Sequence, residues 1–504
     1  MRDIFRNSFV QLLIVFVVYA GAVAAGLLPM IIRPELFALA LGLLGCFLHY
    51  SKKKIALDAR IVWAALGLIV VTRMVWYFFT SVPLGYDPGM YAFAFNHPVA
   101  EDWLLRGFPL IFSLVGFALA KIFTAAFIVK WGAVALSVGL GYVVYHYTCR
   151  IFNKQIGLLA IILYAFSYTM YKVFWWNYIK NLIGMGLLLI AYFYLQQVKY
   201  TKKLGKNRYL FVLSAALIAG FHRPAFLIFG LSYLTYVAYS FFLRKRVLHR
   251  IYDGIAILAL AFLFNIDRIQ PFILDMLWGA GEAVTSGTVG GGTFFTLFRY
   301  WKLSFVYVPF ALIGLCHFWK KNKGLSIAFI LTFATVLFEI LFFKRFIIYM
   351  DFLMIIFAAA GFYVLLSYKK WLGYVTLGAF LVVLGIFFFQ GIRSDAPLIS
   401  DEEFSYIGSL DLPDEALLIV TSSTYSTWMK GYYDGTIMAP GLFDNNPWNR
   451  GTWMRFWTNS TVRAELVGNL SYSPVYIHQG ARQPKMEWND CFEQEDEWLY
   501  RFVC

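Results

Sequence analysis

An all-α, polytopic membrane fold with a small mixed α/β domain at its C-terminal end is what this sequence predicts. Three observations predict it. First, 61% of the 504 residues are hydrophobic and only 14% are charged, where a soluble domain carries roughly 25% charged residues. Second, apolar windows of about 20 residues recur along the chain, each long enough to cross a bilayer core of roughly 30 Å. Third, the net charge of +15 is unevenly spread. Residues 1–390 hold 35 Lys and Arg against 12 Asp and Glu, a net of about +23, and residues 391–504 hold 8 against 16, about −8. The basic excess therefore reads as a membrane-topology signal and not as a nucleic-acid surface. A membrane β-barrel would show short alternating strands, which this sequence lacks.

The elements follow from the basic clusters. These fall at Arg2/Arg6, Lys52–Lys54, Arg150/Lys154, Lys199–Arg208, Arg244–Arg250, Lys320–Lys323 and Lys369/Lys370. Placing all of them in the cytoplasm satisfies the positive-inside rule. The expected spans are 9–29, 34–50, 60–80, 124–148, 155–172, 180–198, 209–221, 224–243, 250–266, 301–319, 324–342, 346–367 and 371–390. That makes about thirteen, with the N-terminus cytoplasmic and residues 391–504 extracytoplasmic. The first span follows Arg2 and Arg6 without a small-residue cleavage site and reads as a signal anchor. The stretch 107–122, opened by Gly107-Phe108-Pro109, is expected to lie at the outer interface. Loops 81–123 and 267–300 are expected on the outer side. The second contains Gly279-Ala280-Gly281 and Gly290-Gly291-Gly292, a flexible stretch that reads either as a lid or as a connector.

Residues 391–504 form the expected soluble domain, with strand-like runs at Ala416–Thr421 and Ser473–His478. Cys46, Cys149 and Cys316 lie in apolar runs and read as packing residues. Cys491 and Cys504 share the tail, where a bridge is chemically permitted if the tail is extracytoplasmic. No metal-ligand spacing appears among the cysteines, and there is no Gly-rich phosphate loop.

Charges in or near membrane spans face a cavity or a partner. On the outer side the sequence places Arg73, Asp87, Glu101, Asp102, Lys172, Lys180, His222, Arg223, Asp267, Arg268, Lys344, Arg345 and Asp351. Asp87, in Gly85-Tyr86-Asp87-Pro88-Gly89-Met90-Tyr91 just past a span, reads as a general base or as a turn residue before proline. Lys344 and Arg345 read as phosphate ligands or as a snorkelling pair. His222-Arg223-Pro224 reads as a polar contact at a hairpin tip or as a helix break, and Lys180 as a second phosphate contact. Glu101 and Asp102 could hold a divalent cation or be solvated loop acids; no metal ligand set is expected. Trp175-Trp176-Asn177-Tyr178 reads as an interfacial belt.

Taken together, these residues resemble those of the GT-C membrane glycosyltransferases, which include protein O-mannosyltransferases, aminoarabinose transferases and oligosaccharyltransferase catalytic subunits. Asp87 and Tyr91 match the acidic first outer loop, Pro109-Leu110 an apolar loop stretch, and His222-Arg223-Pro224 a basic-Pro hairpin tip. Arg345-Phe346 matches a later basic residue before an aromatic helix. The chain departs in having two spans before the Asp87 loop and in lacking the Trp-Trp-Asp-Tyr-Gly signature. The resemblance implies a hexosyl- or pentosyltransferase of the cell envelope in a prokaryotic plasma membrane. Its donor would be a polyprenyl-phosphate-linked sugar and its acceptor a lipid, protein or polysaccharide, with inversion at the sugar carbon. It implies Asp87 as base, Arg345, Lys344, His222, Arg223 and Lys180 on the phosphate, and Tyr86, Tyr91, Glu101 and Asp102 near the substrate. A transporter or flippase of a lipid-linked glycan is the competing class; it would use the same cavity charges without chemistry.

Overall fold

In the computed structural model the described residues are 42–43, 45–46, 57–98, 107–199, 205–243, 247–268, 294, 296–340, 343–440 and 447–504. They divide into two compact units, one of residues 1–73, 134–174 and 179–395 and one of residues 74–133, 175–178 and 396–504.

The first unit is helical. Its centre is the helix Phe343–Tyr368, whose apolar sequence is buried around its whole circumference apart from its first turn. A helix hydrophobic on all sides belongs in the middle of a bundle. It packs on the helices Lys154–Phe166, Val308–Phe318, Lys323–Leu337 and Lys370–Ser394. Two glycines permit the closest of these approaches. A Cβ on Gly314 would lie 1.9 Å from the Phe357 carbonyl oxygen, and one on Gly361 1.9 Å from that of Phe310.

Among the described residues, six helices are long and apolar enough to cross a membrane, or seven if one bent pair counts as a span. The chain is a multi-pass integral membrane protein. The bent pair is Lys154–Phe166 and Tyr168–Trp175, which meet at 57°. The expected count of about thirteen is not confirmed among the described residues. Spans 9–29 and 34–50 fall almost wholly outside the described residues. Four others are shorter helices: Lys206–Phe221 (16 residues), Val247–Leu263 (17), Val308–Phe318 (11) and Lys323–Leu337 (15). The shortfall has a visible local cause in two of them. His222 and Pro224 end the first, and Pro309 restarts the third after a 3-10 turn.

The second unit carries a five-stranded mixed sheet, β1 (Leu417–Val420), β2 (Thr436–Met438), β3 (Val475–His478), β4 (Phe492–Asp496) and β5 (Leu499–Phe502), in the order β2-β1-β3-β5-β4. The first three strands run parallel and the last two antiparallel. The continuous apolar runs of β1 and β3 are buried at every position, as strands covered on both faces require. Clusters around Trp428 and around Trp453 and Phe456 occupy the two faces. The expected strands at 416–421 and 473–478 are thus β1 and β3. The helix expected within 107–122 is Leu110–Ala120.

Cys491 and Cys504 form a disulfide. Cys46 and Cys316, read from sequence as packing thiols, are also bridged. The segment around Gly42 packs directly on Leu312, a contact that no local pattern announces.

Candidate functional site

Several helices of the first unit begin with a basic residue in their first turn, among them Ile179–Gln197 with Lys180, Arg223–Phe242 with Arg223, and Phe343–Tyr368 with Lys344 and Arg345. A helix N-terminus already carries partial positive charge and unpaired N–H groups. Adding cations there is unfavourable for the helix and favourable for a bound anion. Two of these starts converge on the third: Lys180 and Arg345 are both close enough to His222, the N-cap of Arg223–Phe242, to act on it electrostatically.

His222 holds this convergence together. Its Nδ1 accepts from the Ala225 amide at 3.3 Å and lies 2.5 Å from the Tyr349 hydroxyl. With Nδ1 accepting from both, the ring proton sits on Nε2. Tyr349 is fully buried and also meets the Asn181 side chain. Gly184 lets the helices close, since a Cβ there would lie 3.0–3.3 Å from Ala225, His222 and Tyr349. Arg345 is exposed and Lys344 half-buried. His222, Lys180 and Arg345 are therefore brought together, and the sequence had flagged all three. It missed Tyr349, Asn181 and Gly184. Tyr349, four residues past Arg345 on the same helix, was the available signal.

The second unit positions Asp87. The carboxylate sits at the start of the helix Pro88–Asn96 but makes no capping bond to it. Its Oδ2 instead accepts from the Tyr91 hydroxyl at 3.1 Å, one helical turn on. Tyr91 is fully buried against Phe95, Phe108 and Phe112. Two glycines seat the loop. Gly85 takes φ +95° against the Trp176 backbone, and a Cβ on Gly89 would lie 1.8 Å from the Thr427 carbonyl oxygen of the helix Ser423–Tyr432. Upstream, Asp401 accepts from the Ser81 amide at 2.6 Å and from its hydroxyl. Burial raises the Asp401 carboxyl, but the bonds from Ser81 and Thr80 and the Lys130 charge together outweigh it and the net shift is downward. Tyr86 is pushed above its ordinary range, first by burial and then by the neighbouring Asp87 carboxylate. Trp175 and Asn177 are buried within this unit, with Trp175 edge-on to Trp76 at 5.3 Å and Asn177 donating to the Val129 carbonyl. They are packing residues and not a lipid-facing belt.

Glu101, Asp102 and the glycine-rich stretch 279–292 lie outside the described residues. Among the described residues no three His, Cys, Asp or Glu side chains gather to hold a metal ion.

No known family model matches the sequence, and no curated protein matches it. Solved structures do. Oligosaccharyltransferase AglB from Archaeoglobus fulgidus, solved with an inhibitory peptide and a dolichol-phosphate, is 13% identical with a TM-score of 0.58, over 83% of this chain and 69% of that one. An Archaeoglobus fulgidus oligosaccharyltransferase in complex with Zn and sulfate gives a TM-score of 0.55 over 83% of this chain and 68% of that one, again at 13% identity. ArnT from Cupriavidus metallidurans, an aminoarabinose transferase in its apo state, is 12% identical with a TM-score of 0.50, over 83% of this chain and 92% of that one. The fold is that of the GT-C glycosyltransferases.

Proposed function

We propose that this protein is an inverting membrane glycosyltransferase that moves a sugar from a polyprenyl-phosphate donor to an acceptor hydroxyl or amide at the extracytoplasmic face. The carrying observation is the convergence of Lys180 and Arg345 on His222 at helix starts, in a fold shared with AglB and ArnT. Such a cluster suits a phosphate that gains charge as it leaves. Arg345 and Lys180 would bind the donor phosphate, with Lys344 and Arg223 adding positive potential. His222 and Tyr349 would hold the helix starts in place.

Asp87 would accept the proton from the acceptor as its nucleophilic atom bonds to the sugar C1. The bond from C1 to the phosphate oxygen breaks, its electron pair stays on that oxygen, and polyprenyl phosphate departs from the opposite face. Tyr91 would orient Asp87 through their hydrogen bond, and Tyr86 would line the acceptor side. Electrostatic stabilisation of the departing phosphate in a poorly hydrated site is the main source of rate enhancement in this scheme. The scheme uses no metal.

The test is a transfer assay on the full chain in detergent, with radiolabelled polyprenyl-phosphate mannose, glucose and aminoarabinose and membrane extract as acceptor. Release of polyprenyl phosphate that disappears in Asp87→Asn supports the proposal. Donor binding without release, unaffected by Asp87→Asn, would replace it with a transporter of the lipid-linked sugar.

A further inference from the structure

The helix Arg223–Phe242 starts at His222, and its far end carries a second gathering of charge. Residues 199–208 and 244–253 hold nine Lys and Arg and one acid, Asp253, and Arg208 pairs with that acid at 2.5 Å. The stretch 319–330 adds Lys320, Lys321 and Lys323 and no acid. Cations at the ends of membrane helices ordinarily reach out into water. Two of these instead lie over tyrosine rings of one helix.

Tyr236 and Tyr239 stand three residues apart near the end of Arg223–Phe242, so they are neighbours on its surface. The Arg250 guanidinium, from the first turn of Val247–Leu263, lies 4.5 Å from the centre of the Tyr236 ring. The Lys323 ammonium, at the start of Lys323–Leu337, lies 4.7 Å from the centre of the Tyr239 ring and donates to its hydroxyl at 3.0 Å. The Tyr233 hydroxyl donates to the Arg250 carbonyl at 2.8 Å and pins that helix start in place. Two cations from two helices are thus fixed beside neighbouring rings, and ordering them for a ligand costs little.

The donors point to the ligand's chemistry. A guanidinium and an ammonium over rings keep N–H groups for an acceptor with several oxygens. The Tyr239 hydroxyl accepts from Lys323 and keeps its own proton to donate. The Tyr236 hydroxyl, on a half-buried side chain, bonds to no protein group among the described residues. Both cations stand at helix N-termini, whose partial charge adds to theirs. A phosphate group matches this set. The surrounding surface decides between a free and a lipid-borne phosphate. Leu234 and Phe241 on one helix, and Leu248, Ile251 and Ile255 on the next, are exposed. A phospholipid uses the cations and the apolar faces together, whereas free phosphate uses the cations alone.

We infer that Arg250, Lys323, Tyr236 and Tyr239 form a binding site for the phosphate of an anionic membrane phospholipid, its acyl chains lying along Arg223–Phe242 and Val247–Leu263. At 1.5 Å per residue the site is about 25 Å from His222 along the helix. It belongs to the membrane unit alone and stands apart from the transferase reading.

The experiment is native mass spectrometry of the full chain from a neutral detergent, titrated with dioleoylphosphatidylglycerol, dioleoylphosphatidylcholine or inorganic phosphate. Phosphatidylglycerol is expected to bind about fivefold or more tightly than phosphatidylcholine, the scale of one charge contact at a membrane surface. Arg250→Gln combined with Lys323→Gln should weaken it about thirtyfold, the loss of two such contacts. Lys320→Gln combined with Lys321→Gln removes the same charge from exposed positions in the adjoining loop and should leave binding close to the parent's. Tyr236→Phe keeps the ring under Arg250, loses only the hydroxyl, and should weaken binding about tenfold. It serves as the test if the first double variant does not fold. Equal losses in the two double variants would overturn the inference, because diffuse positive charge would then account for the binding. So would equal binding of the two lipids, unchanged binding in Tyr236→Phe, or displacement of the lipid by an equal concentration of inorganic phosphate.

Discussion

The helix starts of the membrane unit and the buried Glu403 of the sheet-bearing unit place charge in opposite ways. In the membrane unit the cations Lys180, Arg223, Lys344 and Arg345 stand at helix starts, where the helices disfavour them. In the sheet-bearing unit, Glu403 is almost fully buried and each of its oxygens is committed. Oε1 accepts from Tyr425 at 2.6 Å and from the Ala481 amide at 2.9 Å, and Oε2 accepts from the Ser400 amide at 2.9 Å. Burial pushes this carboxyl up, but the bonds from Tyr425, Ser400 and Ala481 outweigh it and hold it below its ordinary value. A charge satisfied within the protein secures the fold. Cations gathered at helix starts add to the positive end of the helix and would favour a bound anion. The difference gives Glu403 an architectural role and is the ground on which ligand binding is proposed for the helix starts.

The largest expected effect breaks the comparison at the chemistry. Asp87→Asn should lower transfer by about 10²–10⁴-fold, the range for losing a general base, while donor binding measured by filtration stays within twofold. Arg345→Ala should follow at about 10²-fold, the scale of losing one stabilising donor, with Arg345→Lys recovering part of the rate. An intact rate in Arg345→Ala would remove the distinction between the two kinds of charge.

A pH titration sharpens it next. His478 is fully buried in β3, and neither ring nitrogen has a hydrogen-bond partner among the described residues. Burial lowers it to about 4, against a smaller upward pull from Glu403. Its neutral form is the folded form. Its contribution is complete above the unfolded value of about 6.5 and is lost as pH falls toward 4, by about 3 kcal/mol in all. Glu403, also lowered on folding, loses its contribution as pH falls below its unfolded value of roughly 4.3. The sheet-bearing unit should therefore melt earlier in acid, as tryptophan fluorescence between pH 7 and 4 would show. His478→Phe should flatten the upper part of that curve.

Gly89→Ala is expected to cost about 1–3 kcal/mol, the usual range for overpacking, because the new Cβ meets the Thr427 carbonyl backbone. Its signature is a lower unfolding midpoint together with reduced transfer, since the same contact seats Asp87. The smallest effect is expected from Glu403→Gln, which keeps the shape and loses the carboxylate's bond to the Ser400 amide. About 1–2 kcal/mol of stability should go, with the transfer rate per folded molecule unchanged.

The sequence by itself determined the multi-pass class, the strands that became β1 and β3, the helix start at Asp87-Pro88, and the basic residues at Lys180, His222 and Arg345. Each is a local property. Apolar run length, a proline at a helix start and a basic pair at a hairpin tip are legible within a turn or two. The tertiary structure alone decided the partners. His222 meets Tyr349 across 127 positions, Lys172 pairs with Asp395 across 223, and Cys46 joins Cys316 across 270. The hydroxyls around Asp351 arrive from residue 167, at the break of the bent span, and residue 300, on another helix. The physical reason is that periodicity records which face of a helix is buried but not which helix covers it. That choice is made by packing, through close approaches such as Gly314 on Phe357 and Gly89 on Thr427.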